Sequence, residues 1–189
     1  MNGHETKIVI AGFGGQGIVV IGNILARAGV IEDKNVVGMV CYGAEMRGGT
    51  ANATVIISDH EIASPFVAYP NMAIILNGPS LDRFEPLITP DGLVLVNTSM
   101  IDRDPQRADL ACIKIDATNI AHDIGNFKVA NIVTLGAFIA HTNLLQVASI
   151  ERAISDLFSS KNPKLVDINI TALHTGIERS ICMKPVEQT

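Results

Sequence analysis

The chain has 189 residues, of which 48% are hydrophobic and 17% charged, and it carries a formal net charge of −5 with a pI near 5.4. That length builds one domain with a full core, spanning 1–189, and calls for no second. The acidic balance and an aromatic content of 4% without Trp offer neither the basic footprint nor the stacking platform of a nucleic-acid binder.

Charged residues stand below the usual share of about 25%, so the surface is short of polar cover. A parallel sheet covered on both faces is one explanation; a large surface buried against other subunits is the sharper one. No apolar run reaches the roughly 18 residues of a membrane span, and residues 1–7 lack the basic and apolar regions of a signal peptide. A cytoplasmic protein with no membrane partner is the expectation.

Cys41, Cys112 and Cys182 lie far apart, never as CxxC, and read as thiols in a reducing compartment. The five histidines form no paired ligand pattern. No metal site is expected on this chain alone, and no catalytic side chain stands out.

In chain order, residues 7–11 are an apolar β-type run that empties into Gly12-Phe-Gly14-Gly15-Gln16-Gly17 and then into helix-like sequence. Strand, glycine turn and helix start is the context in which G-x-G-x-x-G holds an anion, because the first helical N–H groups lack partners and the helix dipole adds partial positive charge. Gly12, Gly14, Gly15, Gln16 and Gly17 are therefore candidate binding residues. The alternative is a tight turn that packs a helix on a sheet and binds nothing. A dinucleotide site would also want an acid at the end of the second strand. Residues 35–41 contain none, so NAD is disfavoured.

Ile18, Ile21, Ile24, Leu25 and Ala28 fall on one helical face, with Gly29 as the expected C-cap. After the β-type run 35–41 comes Tyr42-Gly-Ala-Glu45-Met-Arg47-Gly-Gly49, a glycine-rich loop that should neighbour the first. Arg47 is a further candidate, since a guanidinium suits phosphate or carboxylate. Residues 51–58 read as a strand that forms a hairpin or antiparallel edge with 61–63. Strands are expected at 72–76, 93–96 and 111–115, and helices at 79–88, 129–145, 149–158 (capped by Ser149) and 163–182, with one or two helical turns at 117–124. The fold class is α/β: a Rossmann-like layered domain with a mainly parallel sheet, room for an antiparallel edge strand or hairpin, and a helical C-terminal part.

On Gly12-Phe-Gly-Gly-Gln-Gly17, Tyr42-Gly-Ala-Glu-Met-Arg-Gly-Gly49, the segment from Val55 to Pro65 and Gly92-Leu-Val-Leu-Val96, the chain resembles the γ subunit of the 2-oxoacid:ferredoxin oxidoreductases. The AEMRGG form is more similar to the 2-oxoglutarate and branched-chain members than to the pyruvate members. The resemblance implies one subunit of a complex that oxidatively decarboxylates a 2-oxoacid, 2-oxoglutarate first, to an acyl-CoA and reduces ferredoxin. It places thiamine diphosphate, Mg and the [4Fe–4S] clusters in α and β, or δ, partner subunits, with coenzyme A as a substrate of the whole. The γ chain is then a scaffold and part of the coenzyme A entry surface, inactive by itself, and a homodimer when isolated. The contrasting reading is a stand-alone nucleotide-dependent oxidoreductase; a third is an interaction module with an empty glycine loop.

Overall fold

A computed structural model describes residues 5–41, 50–159 and 163–183. Seven strands form one sheet in the order β2-β3-β1-β4-β5-β6-β7, with β1 Thr6–Phe13, β2 Asn35–Cys41, β3 Thr50–Ser58, β4 Met72–Ile75, β5 Leu93–Asn97, β6 Ala111–Ile115 and β7 Ile181–Met183. The four strands β1, β4, β5 and β6 run parallel. The pairs β2–β3, β3–β1 and β6–β7 are antiparallel.

The helices are α1 Ile18–Ile31, α2 Gly78–Phe84, α3 Ala117–Asp123, α4 Ala130–Thr142, α5 Val147–Phe158 and α6 Pro163–Arg179. One core joins Ile8, Ile10, Val55, Ile57, Ile74, Leu95 and Ile113 of the sheet to α1, α3, α4, α5 and α6. The opposite face of the sheet, with Val9, Ala11, Ile75, Val94 and Val96, is covered by Leu81 and Phe84 of α2 and by Ile88, Ile101 and Leu110. Burial on both faces explains the near-continuous apolar strands. The helical face read for α1 is the buried one: Ile18, Ile21, Ile24, Leu25 and Ala28 are all in the core. Each fully buried isoleucine there contributes about 1.5–3 kcal/mol relative to exposure.

The antiparallel element differs from the expected one. Residues 61–63 form no strand, and the partners of β3 are β2 and β1, so β3 lies inside the sheet rather than at its edge. Alternation alone could not separate these arrangements, because it marks 51–58 as a strand without naming the strands that flank it. At the other edge, the expected helix over 163–182 stops at Arg179, and residues 181–183 pair with β6.

Two capping expectations also change. Helix α1 runs two residues past Gly29 to a cap at Glu32; Gly29 is needed instead because a Cβ there would stand 2.7 Å from Cγ2 of Val36. Helix α5 is capped by Gln146, and Ser149 is buried in its first turn with its N–H on Gln146 O at 3.1 Å.

Candidate functional site

The first β–α turn is built around Gln16. Its Oε1 accepts from Phe13 N–H at 2.5 Å and from Asn77 Nδ2 at 3.4 Å, and its Nε2 donates to Leu76 O at 3.3 Å. Leu76 and Asn77 follow β4, so one amide fastens the carboxyl end of β1 to that of β4. From these two ends the chain departs to opposite faces, α1 onto one and α2 onto the other. This is the topological switch point at which open α/β sheets bind ligands.

Three glycines of the motif, Gly12, Gly15 and Gly17, have a structural reason. A Cβ on Gly12 would stand 2.6 Å from Gln16 Oε1 and 2.9 Å from Leu76 Cβ, so Gly12 makes room for the Gln16 bridge. Gly15 and Gly17 adopt φ of 90° and 79°, a region glycine enters at little cost. A Cβ on Gly17 would also collide with the Asn131 side chain. Gly14 and Gly15 are exposed with open space beside them. Helix α1 begins at Gly17 with no side-chain cap and no acid in its first turn, which leaves its terminal N–H groups and dipole available to an anion.

Gly15, Gln16 and Gly17 form one wall of a cleft of about 630 Å³. The other walls carry Asn97, Thr118, Asn126, Lys128, Asn131, Thr134 and Asn169, with Val20, Leu76, Met100, Phe127, Phe158 and Leu165 among the apolar lining. Most of these polar groups are committed inside the protein. Asn97 accepts from the N–H groups of Ser99 and Ala117 at 3.3 and 3.0 Å and donates to Thr118 Oγ1 at 3.1 Å. Thr134 donates to Ala130 O at 2.9 Å, and Asn169 to Leu165 O at 2.6 Å.

Two are not committed in this way. Asn131 is 7% exposed; its Nδ2 reaches Gly17 O at 3.5 Å, while its buried Oδ1 has no hydrogen-bond partner among the described residues. A buried acceptor left unpaired costs about 1–3 kcal/mol, so this atom points to a donor arriving in the cleft. Lys128 is exposed at the rim and pairs with no carboxylate among the described residues. A cation, a helix N-terminus and an unpaired amide oxygen thus line one cleft.

Of the residues singled out in the sequence, Gly12, Gly14, Gly15, Gln16 and Gly17 form the turn together. Arg47 and the rest of the 42–49 loop lie outside the described residues. The described ends of that loop are at the same end of the strands as the glycine turn: Thr50 pairs with Phe13, and Cys41 with Asn52. Sequence reasoning missed Lys128 and Asn131. An asparagine opening the apolar run that becomes α4 was a signal for Asn131; Lys128 gave none, being one exposed lysine among several.

Among the described residues, no group of three or more His, Cys, Asp and Glu side chains could hold a metal ion. No described helix is long and apolar enough to cross a membrane.

Residues 7–179 match the model of the family described as pyruvate ferredoxin/flavodoxin oxidoreductase, and the chain belongs to that family. It is 36% identical over 176 residues to the ketoisovalerate oxidoreductase subunit VorA of Methanothermobacter marburgensis; the match covers 93% of this chain but 36% of that relative, so the chain spans about a third of its length. With the 2-oxoglutarate synthase subunit KorC of Methanocaldococcus jannaschii it shares 39% identity over 153 residues, 79% of this chain and 82% of the relative. The γ subunit of a keto/oxoacid ferredoxin oxidoreductase from Geobacter sulfurreducens superposes with a TM-score of 0.79 at 30% identity, covering 92% of this chain and 96% of that one. The 2-oxoglutarate:ferredoxin oxidoreductase of Magnetococcus marinus, solved with 2-oxoglutarate, coenzyme A and succinyl-CoA bound, shares the fold with a TM-score of 0.84 at 22% identity, over 96% of this chain and 32% of that one.

Proposed function

We propose that this chain is the γ subunit of a 2-oxoacid:ferredoxin oxidoreductase with 2-oxoglutarate as its oxoacid, and that its cleft binds a phosphate of coenzyme A. The observation that carries the coenzyme A role is the convergence of the α1 N-terminus, Lys128 and the unpaired Asn131 Oδ1 on one cleft. The amides of Gly15, Gly17 and Ile18 and the Lys128 ammonium hold the phosphate, the Gln16 N–H being spent within the turn on Phe13 O at 3.2 Å. Asn131 accepts from an N–H or O–H of the ligand. Arg47, on a loop whose ends lie level with the glycine turn at the same end of the strands, adds a second cation.

Decarboxylation and electron transfer belong to partner α and β, or δ, subunits, which hold thiamine diphosphate, Mg and the [4Fe–4S] clusters and pass electrons to ferredoxin. The complex works in the cytoplasm. The chain alone turns over no 2-oxoacid and self-associates as a dimer, in keeping with its 17% charged residues.

The test is coenzyme A affinity of the assembled complex, measured by calorimetry with pantetheine as the phosphate-free reference. A charge-assisted phosphate contact contributes about 1.5–3 kcal/mol, so Lys128→Ala and Arg47→Ala should each weaken coenzyme A binding about tenfold or more and leave pantetheine unchanged. Arg47→Lys should restore only part, since the ammonium lacks the planar fork. Unchanged coenzyme A affinity in intact complex overturns the phosphate role. Assembly that weakens in Arg47→Ala, with coenzyme A affinity intact, assigns that arginine to a subunit contact.

A further inference from the structure

The sheet is open at β2: among the described residues no strand pairs with its outer edge. An edge strand presents unpaired N–H and C=O groups, and proteins blunt such edges with lysine, proline, bulges or shortness. Strand β2 has none of these. It is seven residues of Asn-Val-Val-Gly-Met-Val-Cys without charge or proline, and its ladder to β3 runs residue for residue from Asn35–Ser58 to Cys41–Asn52 without a bulge.

The strand is also symmetric in chemistry about its midpoint, Gly38. Val36 and Val40 flank that glycine on one face of the sheet, and Val37 and Met39 flank it on the other. Gly38 is exposed with nothing within 4 Å of the position a Cβ would take. Val40 is 41% exposed, and Val30, at the end of α1, 63%. Val30 borders a shallow groove of about 360 Å³ with Ala26, Ile31, Val36 and Gly38, and Arg27 and Asp156 supply its two charged residues.

We propose that β2 pairs antiparallel with β2 of a second copy about a two-fold axis at Gly38, joining the two sheets into one. In that register Val36 of one copy stands opposite Val40 of the other, and Val37 opposite Met39, so apolar meets apolar at every internal pair and no like charges oppose. Such cross-strand pairs each contribute a fraction of a kcal/mol, and the ladder supplies the backbone partners. The symmetry of the strand selects the occupant: a second copy supplies a complementary sequence automatically, and an isologous contact closes after two copies. The inference gives the self-association proposed above a surface and does not depend on the coenzyme A reading of the cleft.

Sedimentation of the full chain and its Val40→Lys variant, with oxidative cross-linking in the assembled complex, tests it. Val40→Lys, at a partly exposed position, sets a lysine opposite Val36 at both ends of the seam; it should raise the dimer dissociation constant about tenfold or more while the far-UV circular dichroism stays unchanged. In Gly38→Cys the two thiols meet on the axis, with Cα atoms about 4.5–5.5 Å apart, within disulfide reach. Mild oxidation of the complex should then link two copies of this chain beyond the level in the parent. The proposal requires both results, and absence of either overturns it. A monomeric parent chain overturns self-association as well. A dimer indifferent to both substitutions overturns only the β2 seam, and a link from Gly38→Cys to a different subunit assigns the edge to that subunit instead.

Discussion

Gly136 of α4 and Gly176 of α6 lie against each other's helix backbones. A Cβ on Gly136 would overlap the carbonyl of Leu173, and one on Gly176 the carbonyl of Val133. The two helices therefore cross at near-minimal separation, and this crossing fixes α6 over α4, whose Asn131 and Thr134 line the cleft.

Gly176→Ala is expected to destabilise the fold by about 1–3 kcal/mol or more, the range for forcing extra atoms into a packed contact. Gly136→Ala should do the same. Urea unfolding monitored by circular dichroism gives the comparison, and a midpoint unchanged in both variants would show that the helices can separate freely.

Gln16 links two strand ends, so its removal acts on stability and binding together. In Gln16→Ala the Phe13 N–H loses its acceptor and Leu76 O its donor, at a cost of about 1–3 kcal/mol. Gln16→Glu keeps the acceptor but cannot donate to Leu76 O, and it sets a negative charge beside the proposed phosphate. Calorimetry should find coenzyme A bound more weakly by the complex in Gln16→Glu than in Gln16→Ala; the reverse order would separate the loop from the anion.

Glu85 is a carboxylate with only 6% of its side chain exposed, and it organises the turn before β6. It accepts from Arg107 N–H at 2.8 Å, from Gln106 N–H and from Arg103 Nη1 at 3.4 Å. Removing it leaves those donors unpaired, and breaking a buried pair costs about 3–5 kcal/mol. Partial exposure of Arg103, at 32% of its side chain, lowers the expectation for Glu85→Ala to about 2–3 kcal/mol. Glu85→Gln, which retains an acceptor, should lose roughly half of that. Thermal unfolding would check the order, and equal losses would mean that packing rather than hydrogen bonding sets the cost.

The same turn should respond to acid. The Arg107 guanidinium, hydrogen-bonded to Asp109, holds that carboxyl below its ordinary value of 3.8. A depressed folded pKa means that the pair's contribution is present above pH 3.8 and is lost as pH falls through the lower folded value. Asp59 behaves alike through its bond to Lys34. Hydrogen-exchange protection of the amides between residues 104 and 110 should fall in that acid window and become flat there in Asp109→Asn. Protection that falls identically in both proteins would place the titrating group elsewhere.

Much of this architecture was legible in the residues. The strands read at 35–41, 72–76 and 93–96, observed at 35–41, 72–75 and 93–97, and the buried face of α1 follow from the order of apolar residues alone, because burial on one side or two leaves a direct trace there. Sheet order leaves no such trace: nothing in residues 50–58 says that they insert between β1 and β2. The terminus at Arg179 was hidden for a related reason, since residues 181–183 suit helix and strand equally and only β6 decides between them. At the site, the glycines announced a turn, and the structure supplies what they make room for: Gln16 at Gly12 and Asn131 at Gly17. Lys128 becomes meaningful only when the fold brings residue 128 to the cleft shared with residue 17.

The position of β3 also sets an order of assembly. Strands β2 and β3 are neighbours in sequence and form an antiparallel hairpin from Cys41–Asn52 to Asn35–Ser58, whereas β1 meets β3, and then β4, only across much longer stretches of chain. Short loops close with little entropy loss and distant pairings close late. The hairpin should thus form early on that side, with β1 docking against a ribbon already formed. Since the glycine turn takes its shape only once β1 and β4 lie side by side, the cleft is among the last parts of the molecule to mature, and a chain arrested before that step would have a folded edge and no binding site.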